Sequence, residues 1–216
     1  IYGVSDFDNY PEEATAKPKV GGVTNPNEEA ILAANPDLVI GGISMNDDVA
    51  EHFRSLGISL YKTDPKTVED VIKMILVIGE ITDTKAKADE VVAEMREDIR
   101  KVTDAVSAVK EADRKKVYIE FAPGWTVGSG EFLHELITIA GGVNIAADTQ
   151  GWSQVNEEAI IAANPEVILF AADLVDFDSG KPLEEIITSR SGWSKITAIQ
   201  ENRLVPLDQD IMARTG

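Results

Sequence analysis

The sequence predicts an α/β fold: two Rossmann-like lobes with mostly parallel sheets, joined by one long α-helix. A 14-residue segment occurs twice, as NEEAILAANPDLVI at residues 27–40 and as NEEAIIAANPEVIL at residues 156–169, with nine identical positions. The copies start 129 residues apart, a period too long for a solenoid repeat. Residues 84–112, between the copies, contain neither glycine nor proline and are rich in helix formers. Two related lobes and an intervening helix are therefore expected, with a cleft between the lobes.

Each copy of the repeat predicts a helix followed by a strand. The two glutamates at its start complement the positive end of a helix dipole. The Asn-Pro pair stops the helix, because the residue before proline avoids the α region. The apolar run that follows, Leu38–Ile40 or Val167–Leu169, is typical of a buried parallel strand.

The region between the copies predicts an amphipathic helix roughly 40 Å long. Its apolar residues recur at spacings of three and four, at Ala88, Val91, Val92, Met95, Ile99, Val102, Val106 and Val109. A coiled-coil seam is the alternative interpretation, but the position between the repeats favours a rigid strut. The predicted domains are an N-terminal lobe (1–80), the linking helix (81–113) and a C-terminal lobe (114–216).

Other elements follow from local signals. The predicted strands are Ile1–Val4 and residues 59–63, 116–121 and 204–207. The predicted helices are residues 46–56, a helix capped by Thr67 with Asp70 in an imperfect capping box, residues 129–140 and residues 183–189.

Composition excludes several functions. With 38 acidic against 20 basic residues, the formal net charge is −18, which lacks the basic footprint of a nucleic-acid-binding protein and suits a cationic docking partner. There is no cysteine, so thiol catalysis and zinc–thiolate sites are excluded. The two histidines, His52 and His134, lie in no metal-binding or catalytic spacing, and no cofactor fingerprint is present. The sequence therefore predicts no enzyme, no catalytic residue, no bound metal and no cofactor.

Candidate ligand-binding residues follow the predicted strands, because open parallel sheets bind ligands at the carboxyl ends of their strands. Aromatic residues in loops indicate apolar contact with a large ligand. The candidates are Phe7, Tyr10, Gly42, Trp125, Trp152 and Asp210. Trp193, at a turn, is interpreted as structural.

Glu29 and Glu158 occupy the same place in the two repeats. They compensate the helix dipole, or they form one acidic knob per lobe for a partner with paired arginines. The charge and position of these two glutamates leave both interpretations open.

The doubled unit, the intervening helix and the Gly192-Trp193 turn before NRLVPL resemble the class III substrate-binding proteins of ABC importers. The family's ligands include vitamin B12, ferric siderophores and haem. The segments GVSDFDNYP, WSQVNEEAI and LVPLDQDIMARTG are similar to those of its vitamin B12-binding members. The resemblance covers nearly the whole chain and implies capture of vitamin B12 or a related corrinoid without chemistry.

The resemblance also implies roles for single residues. Tyr10, Trp152 and Asp210 match corrinoid-contacting positions, and Trp125 lies in a cleft loop. Glu29 and Glu158 match glutamates that dock on arginines of the permease dimer. Two positions depart from the pattern: Gly42 stands where a cleft tryptophan is expected, and Ile211 replaces an aromatic residue.

A resemblance of this kind implies that the chain is truncated at both ends. Family members have roughly 50 further residues before the segment that matches Ile1, and a closing helix after the segment that matches Gly216. The N-lobe would then be incomplete, and the C-lobe would lack its final helix. We expect an unpaired sheet edge and a homodimer that covers it. The full-length protein is expected outside the cytoplasm, periplasmic or at the cell surface and held by a lipid anchor.

Two alternatives remain at this stage. Basic residues in the cleft would favour a ferric-siderophore or haem-binding protein of the same family, and Arg214 is the best candidate. A two-lobed cytosolic α/β enzyme is the alternative from another class.

Overall fold

The computed structural model describes residues 1–213. The chain forms two compact units, one of residues Ile1–Pro65 and one that begins at Lys66. The helix capped by Thr67, predicted as part of the N-terminal lobe, lies in the second unit. The predicted division near residues 80 and 113 stays a proposal.

The first unit contains two successive helix-then-strand units, whose strands form a short parallel sheet. Its core consists of Ile31, Met45, Ala50 and Phe53. Strands β1 and β2 pair in parallel, with Val39 opposite Leu60. The elements are a 3-10 helix (Glu12–Ala16), α1 (Glu28–Ala34), β1 (Val39–Gly41), α2 (Asp47–Ser55) and β2 (Leu60–Lys62).

The predicted strand at Ile1–Val4 is wrong. Val4 forms a single parallel bridge with Lys19, and Ile1 is almost fully exposed. The strand was predicted from apolar residues alone. Among the described residues of this unit, only β1 and β2 form a sheet.

The second unit opens with two packed helices, α3 (Val68–Ile81) and α4 (Lys85–Val106). The predicted capping box is confirmed, because the Thr67 hydroxyl accepts the Asp70 N–H and the Asp70 carboxylate accepts the Thr67 N–H. The two helices approach closely at Gly79, where an added Cβ would lie 2.5 Å from Ala88 Cβ.

Helix α4 is the predicted long helix, but it ends at Val106 rather than near residue 112. At this end the Ser107 N–H donates to the Asp104 carbonyl, three residues back rather than four, so the α-helical hydrogen-bond pattern stops there. Ala88 and Val92 are buried, whereas Val102 and Val109 are exposed. The apolar stripe is therefore most deeply buried along the first half of the helix, whereas Ile99 and Val106 in the second half are only partly buried.

A four-stranded parallel sheet forms the centre of the second unit, in the order β5-β3-β7-β8. Its core includes the fully buried side chains Tyr118, Ile160, Ile168, Leu183 and Trp193. Trp193 is thus a core residue, as the sequence predicts. The strands are β3 (Lys116–Glu120), β5 (Val143–Asn144), β7 (Val167–Ala171) and β8 (Leu204–Leu207), and the helices are α5 (Phe132–Ile139), α6 (Glu157–Ala163), α7 (Leu183–Ser189), α8 (Thr197–Gln200) and α9 (Gln209–Ala213), with 3-10 helices at Glu111–Asp113 and Trp193–Lys195.

One sheet was not predicted. Strands β4 (Trp125–Val127) and β6 (Trp152–Gln154) form an antiparallel pair beside the parallel sheet. The mostly parallel α/β class is confirmed in both units.

The repeat has the same local structure in both units. Asn27 and Asn156 are the N-caps, and their side chains accept the N–H groups of Ala30 and Glu158. Each helix ends after seven residues at a left-handed asparagine, Asn35 (φ 45°) or Asn164 (φ 49°). Asparagine tolerates this conformation better than other L residues, so the Asn-Pro pair stops both helices at the same point.

Candidate functional site

The carboxyl edge of the four-stranded sheet gathers candidate residues of the second unit. Strands β3, β7 and β8 are mutually parallel, so the segments that leave them emerge at one edge. These segments are the turn before Trp125, the loop 172–182 and the residues from Asp208 to α9. Ligands of open α/β sheets bind at such an edge.

Trp125 and Trp152 share one face of the antiparallel pair. Trp125 is opposite Gln154 and Trp152 is opposite Val127, so the two indoles are diagonal neighbours. They are 41% and 38% exposed, respectively. The sequence predicts both in loops; they lie instead on strands too short to show an alternating pattern. The strand pairing brings together two aromatic surfaces that are 27 residues apart.

A buried carboxylate holds the turn that leads to Trp125. The Gly124 N–H donates to Glu120 Oε1 at 2.8 Å, and Gly124 has a positive φ of 73°. Glu120 is fully buried and is paired with Arg190, whose Nη1 donates to Glu120 Oε2 at 2.7 Å. Burial, reinforced by the nearby Glu120 carboxylate, raises the pKa of the Tyr118 hydroxyl far above its ordinary value. Tyr118 therefore stays neutral beneath this turn.

The loop after β7 presents an aromatic residue that sequence reasoning missed. Phe177 is 99% exposed at the tip of the loop. The Asp176 N–H donates to the Lys181 carbonyl at 2.9 Å, and the Ser179 hydroxyl donates to Asp176 Oδ2 at 2.6 Å. The Ser179 hydroxyl and N–H lower the pKa of the Asp176 carboxyl. The signal that could have found Phe177 is its place as a lone aromatic among aspartates, DLVDFDSG, directly after the repeat strand.

Asp210 lies in the first turn of α9, directly after β8, and its side chain is exposed. Its position at the carboxyl edge agrees with the loop predicted from the sequence. Arg214, named as a cleft cation, lies outside the described residues, and of Ile211 only the backbone is described.

The candidates of the first unit lie in two segments. Phe7 and Tyr10 belong to the loop between Val4 and the first 3-10 helix, and Tyr10 is 82% exposed. Lys19 Nζ fixes this loop by donating to the carbonyls of Ser5 and Asp8 at 3.0 and 2.9 Å. Gly42 follows β1, and no described atom lies within 4 Å of a Cβ added there.

Glu29 and Glu158 occupy the second position of α1 and α6 and are exposed. In both copies the preceding glutamate is paired: Glu28 with His52 at 3.0 Å, and Glu157 with Arg190 at 3.5 Å. Within residues 1–213, Glu29 and Glu158 themselves form no ion pair. Each repeat thus carries one exposed carboxylate in its first helical turn.

The structure therefore places Trp125, Trp152 and Asp210 in the second unit, and Phe7, Tyr10 and Gly42 in the first. The cleft between the lobes and the roles of these residues stay predictions. Within the described part of the chain, no group of three histidine or acidic side chains could hold a metal ion. Among its helices, none has the length and apolarity that crossing a membrane requires.

The chain belongs to the periplasmic binding protein family, whose model matches residues 1–211. It is 31% identical, over its whole length, to the uncharacterized ABC transporter substrate-binding lipoprotein YvrC of Bacillus subtilis. The family resemblance predicted from the repeats is thereby confirmed. These relatives are substrate-binding components of transporters, not enzymes, so the alternative of a two-lobed enzyme is wrong.

Two further relatives differ in their named ligands. A cobalamin-binding protein of Halobacterium salinarum is 33% identical over 82% of this chain. A solved structure of a possible iron-binding (periplasmic solute-binding) protein of Staphylococcus epidermidis is 26% identical and superimposes on the whole chain with a TM-score of 0.81, covering 84% of that structure. The chain spans 68% of the Bacillus relative and 50% of the Halobacterium relative.

Proposed function

We propose that the chain is the extracytoplasmic substrate-binding component of an ABC importer that captures vitamin B12 or a related corrinoid. The observation that carries the proposal is the pair of half-exposed indoles, Trp125 and Trp152, on one strand face at the carboxyl edge of a parallel sheet. The similarity to the cobalamin-binding protein of Halobacterium supports the choice of ligand.

A corrinoid suits this surface because it is large, rigid and apolar on its faces. Indole rings bury much apolar area with little conformational entropy to lose. Phe177, Trp125 and Trp152 would contact the ring and its side groups, and Asp210 would accept hydrogen bonds from their amides. In the first unit, Phe7 and Tyr10 would supply further apolar contacts. No residue is required to change the ligand chemically.

Delivery to the permease would use Glu29 and Glu158. Each carboxylate is exposed at the start of a helix, and its neighbouring glutamate is already paired inside the unit. A carboxylate in this setting can accept a bidentate hydrogen bond from a permease arginine. The charge of −18 adds attraction toward a basic docking surface.

Isothermal titration with cyanocobalamin, haem and a ferric siderophore tests the choice of ligand. We expect saturable heat with cyanocobalamin alone, and Trp125→Ala and Trp152→Ala to weaken it. No heat with cyanocobalamin, together with binding of a ferric chelate, would establish the second candidate instead. That candidate is favoured by the similarity to the possible iron-binding protein of Staphylococcus.

A second titration tests docking, with the cognate permease in nanodiscs. Glu29→Arg and Glu158→Arg should each weaken binding of the loaded protein at least tenfold, because each places like charges face to face. Glu184→Arg is the matched control, since Glu184 is also an exposed acid in the first turn of a helix, α7. Equal losses in all three variants would show that only total charge matters and would reject specific docking.

A further inference from the structure

Arg190 is a nearly buried cation at the end of α7 that contacts two different parts of the second unit. Its side chain is 9% exposed. Both terminal nitrogens donate to the Glu120 carboxylate, and the guanidinium carbon lies 4.5 Å from the centre of the Trp193 ring. Burial alone would lower the pKa of Arg190, but the hydrogen bonds that it donates to Glu120, together with the charge of that carboxylate, outweigh burial and raise the pKa. Arg190 is therefore a fixed positive charge.

The first contact controls the turn that carries Trp125. Glu120 Oε1 accepts the Gly124 N–H as well as the Arg190 bond, so the carboxylate joins the turn to the guanidinium. The Phe121 N–H donates to the Trp125 carbonyl at 3.0 Å and closes the turn. Without the cation, Glu120 would be a buried unpaired charge, which proteins avoid by rearrangement or protonation.

The second contact reaches the helix that carries Glu158. Arg190 Nε lies 3.5 Å from Glu157 Oε1, in the first turn of α6. Glu158 is the next residue, and its N–H donates to the N-cap Asn156 at 2.7 Å. One guanidinium thus joins the turn before Trp125 to the start of the helix that bears Glu158.

A buried ion pair is a poor source of stability, because removing two charges from water costs about as much as their attraction returns. A role in position explains the pair better. We propose that Arg190 is a positioning residue that fixes the Trp125 turn and the first turn of α6 in one arrangement, linking the ligand-contacting and permease-contacting parts of the second unit. The inference rests on the proposed function for the meaning of these two parts, but its geometry can be tested without ligand.

The first test uses ¹⁹F NMR of protein labelled with 5-fluorotryptophan, which gives one resonance for each of the three tryptophans. Arg190→Lys keeps the charge but cannot hold both carboxylate oxygens and Glu157 together. We expect the Trp125 resonance to shift or broaden, through Glu120 and Gly124. Trp193 reports the substitution itself, because its ring lies beside the guanidinium. An unchanged Trp125 resonance overturns the proposal, whatever the ligand is.

Double-mutant cycles give the second test. Arg190→Lys should weaken cyanocobalamin binding about tenfold when Trp125 is present and less than about twofold in Trp125→Ala. Arg190→Lys should likewise weaken permease binding about threefold when Glu158 is present, and should not weaken it in the Glu158→Gln background. Equal losses in both backgrounds would assign Arg190 a general structural role and reject positioning.

Two further variants guard against a folding defect. Glu120→Gln combined with Arg190→Met removes both buried charges and leaves unpaired only Glu157, which is exposed, so it should fold and still show the altered Trp125 resonance. Arg100→Lys is the matched control, since exposed Arg100 also contacts two acids, Glu97 and Asp104, at 2.7 and 2.9 Å. It should change neither the resonance nor either affinity. If wild-type protein fails to bind cyanocobalamin, the proposed ligand is wrong, and the NMR result still decides the role of Arg190.

Discussion

The indole of Trp152 meets the ring of Phe121 edge to face, with ring centres 5.2 Å apart and planes at 70°. Phe121 follows β3 directly, so this contact attaches β6 to the end of the central sheet. Phe121 covers part of the indole, and the exposed remainder of this ring is available to a ligand. The Trp152 ring is thereby held in place by Phe121 before a ligand binds.

Replacing Trp152 by alanine should weaken cyanocobalamin binding about 10- to 100-fold, because a large preformed apolar contact is lost. Trp152→Phe should recover part of it. Titration calorimetry measures both. Tyr2→Ala, which removes another exposed aromatic ring, is the control and should bind like wild type. An unaltered affinity in Trp152→Ala would remove this ring from the proposed site.

Phe177→Ala should leave the free energy of unfolding unchanged within about 0.5 kcal/mol, since the ring is 99% exposed. Its affinity for cyanocobalamin should fall about 3- to 30-fold if the loop closes on the ligand. Chemical denaturation and calorimetry on the same sample separate the two effects. Unchanged affinity would restrict the proposed contacts to the indole pair.

Gly42→Trp should strengthen corrinoid binding. The resemblance expects a cleft tryptophan here, and an added Cβ meets no described atom within 4 Å, so the side chain has room. A third indole offers more apolar contact area to the ligand. Cyanocobalamin affinity should rise about three- to tenfold at an unchanged melting temperature. A weaker affinity would show that the ligand itself occupies the space beside Gly42.

Gly128→Ala should destabilise the protein by about 2 kcal/mol or more. A Cβ at Gly128, the residue after β4, would lie 2.2 Å from the Thr149 carbonyl oxygen, which is backbone and cannot rotate away. Gly42→Ala is the matched control and should be neutral, because the site is open. Thermal unfolding of the two variants, compared with wild type, provides the measurement. Equal melting temperatures would contradict the close contact.

Acid should weaken the second unit through Glu166. Lys115 Nζ lies 2.6 Å from Glu166 Oε1 and lowers the pKa of that carboxyl, helped by the Lys116 N–H. Because the folded-state pKa is below the unfolded value of about 4.3, the stabilisation is complete above pH 4.3 and is lost as pH falls through the folded pKa. The pair is partly exposed, so it contributes no more than about 1 kcal/mol.

Glu166→Gln lacks this ionisation. The difference in free energy of unfolding between wild type and Glu166→Gln should therefore be largest near pH 7 and shrink below about pH 4. Urea denaturation at several pH values measures it. A difference that stays constant down to pH 3 would show that the hydrogen bonds, and not the charge, stabilise this contact.

Local signals explain what the sequence predicted well. The helix-to-strand repeat, the Thr67–Asp70 capping box and the parallel strands at residues 167–169 and 204–207 depend on neighbouring residues, and their backbone structure is confirmed. The burial predicted for the strand Leu38–Ile40 is wrong, because Ile40 is 48% exposed. The family motif lies in the same local patterns. The sequence also predicted the apolar stripe of the long helix, but not its C-terminal end, because no glycine or proline marks that end.

Long-range contacts explain what the sequence missed. Strands of three residues, β4 and β6, show no periodicity, and their pairing depends on tertiary contacts. Glu120 and Arg190 are 70 residues apart, and neither position differs in the sequence from a surface charge. Phe177 was not predicted as a binding residue, because the aspartates around it indicate a solvated loop. The residues of a site that is assembled from distant loops are therefore the hardest to predict from the sequence.

Helices α1 and α6, which carry Glu29 and Glu158, have only seven residues each, about two turns. A helix this short does not persist in water by itself. Each one is stabilised by packing, with an isoleucine, Ile31 or Ile160, buried in the interior beneath it. Shortening either isoleucine would unfold the helix and so displace a glutamate that is itself unchanged. A genetic screen for transport defects should therefore recover substitutions in the interior that have the same effect as loss of a surface contact.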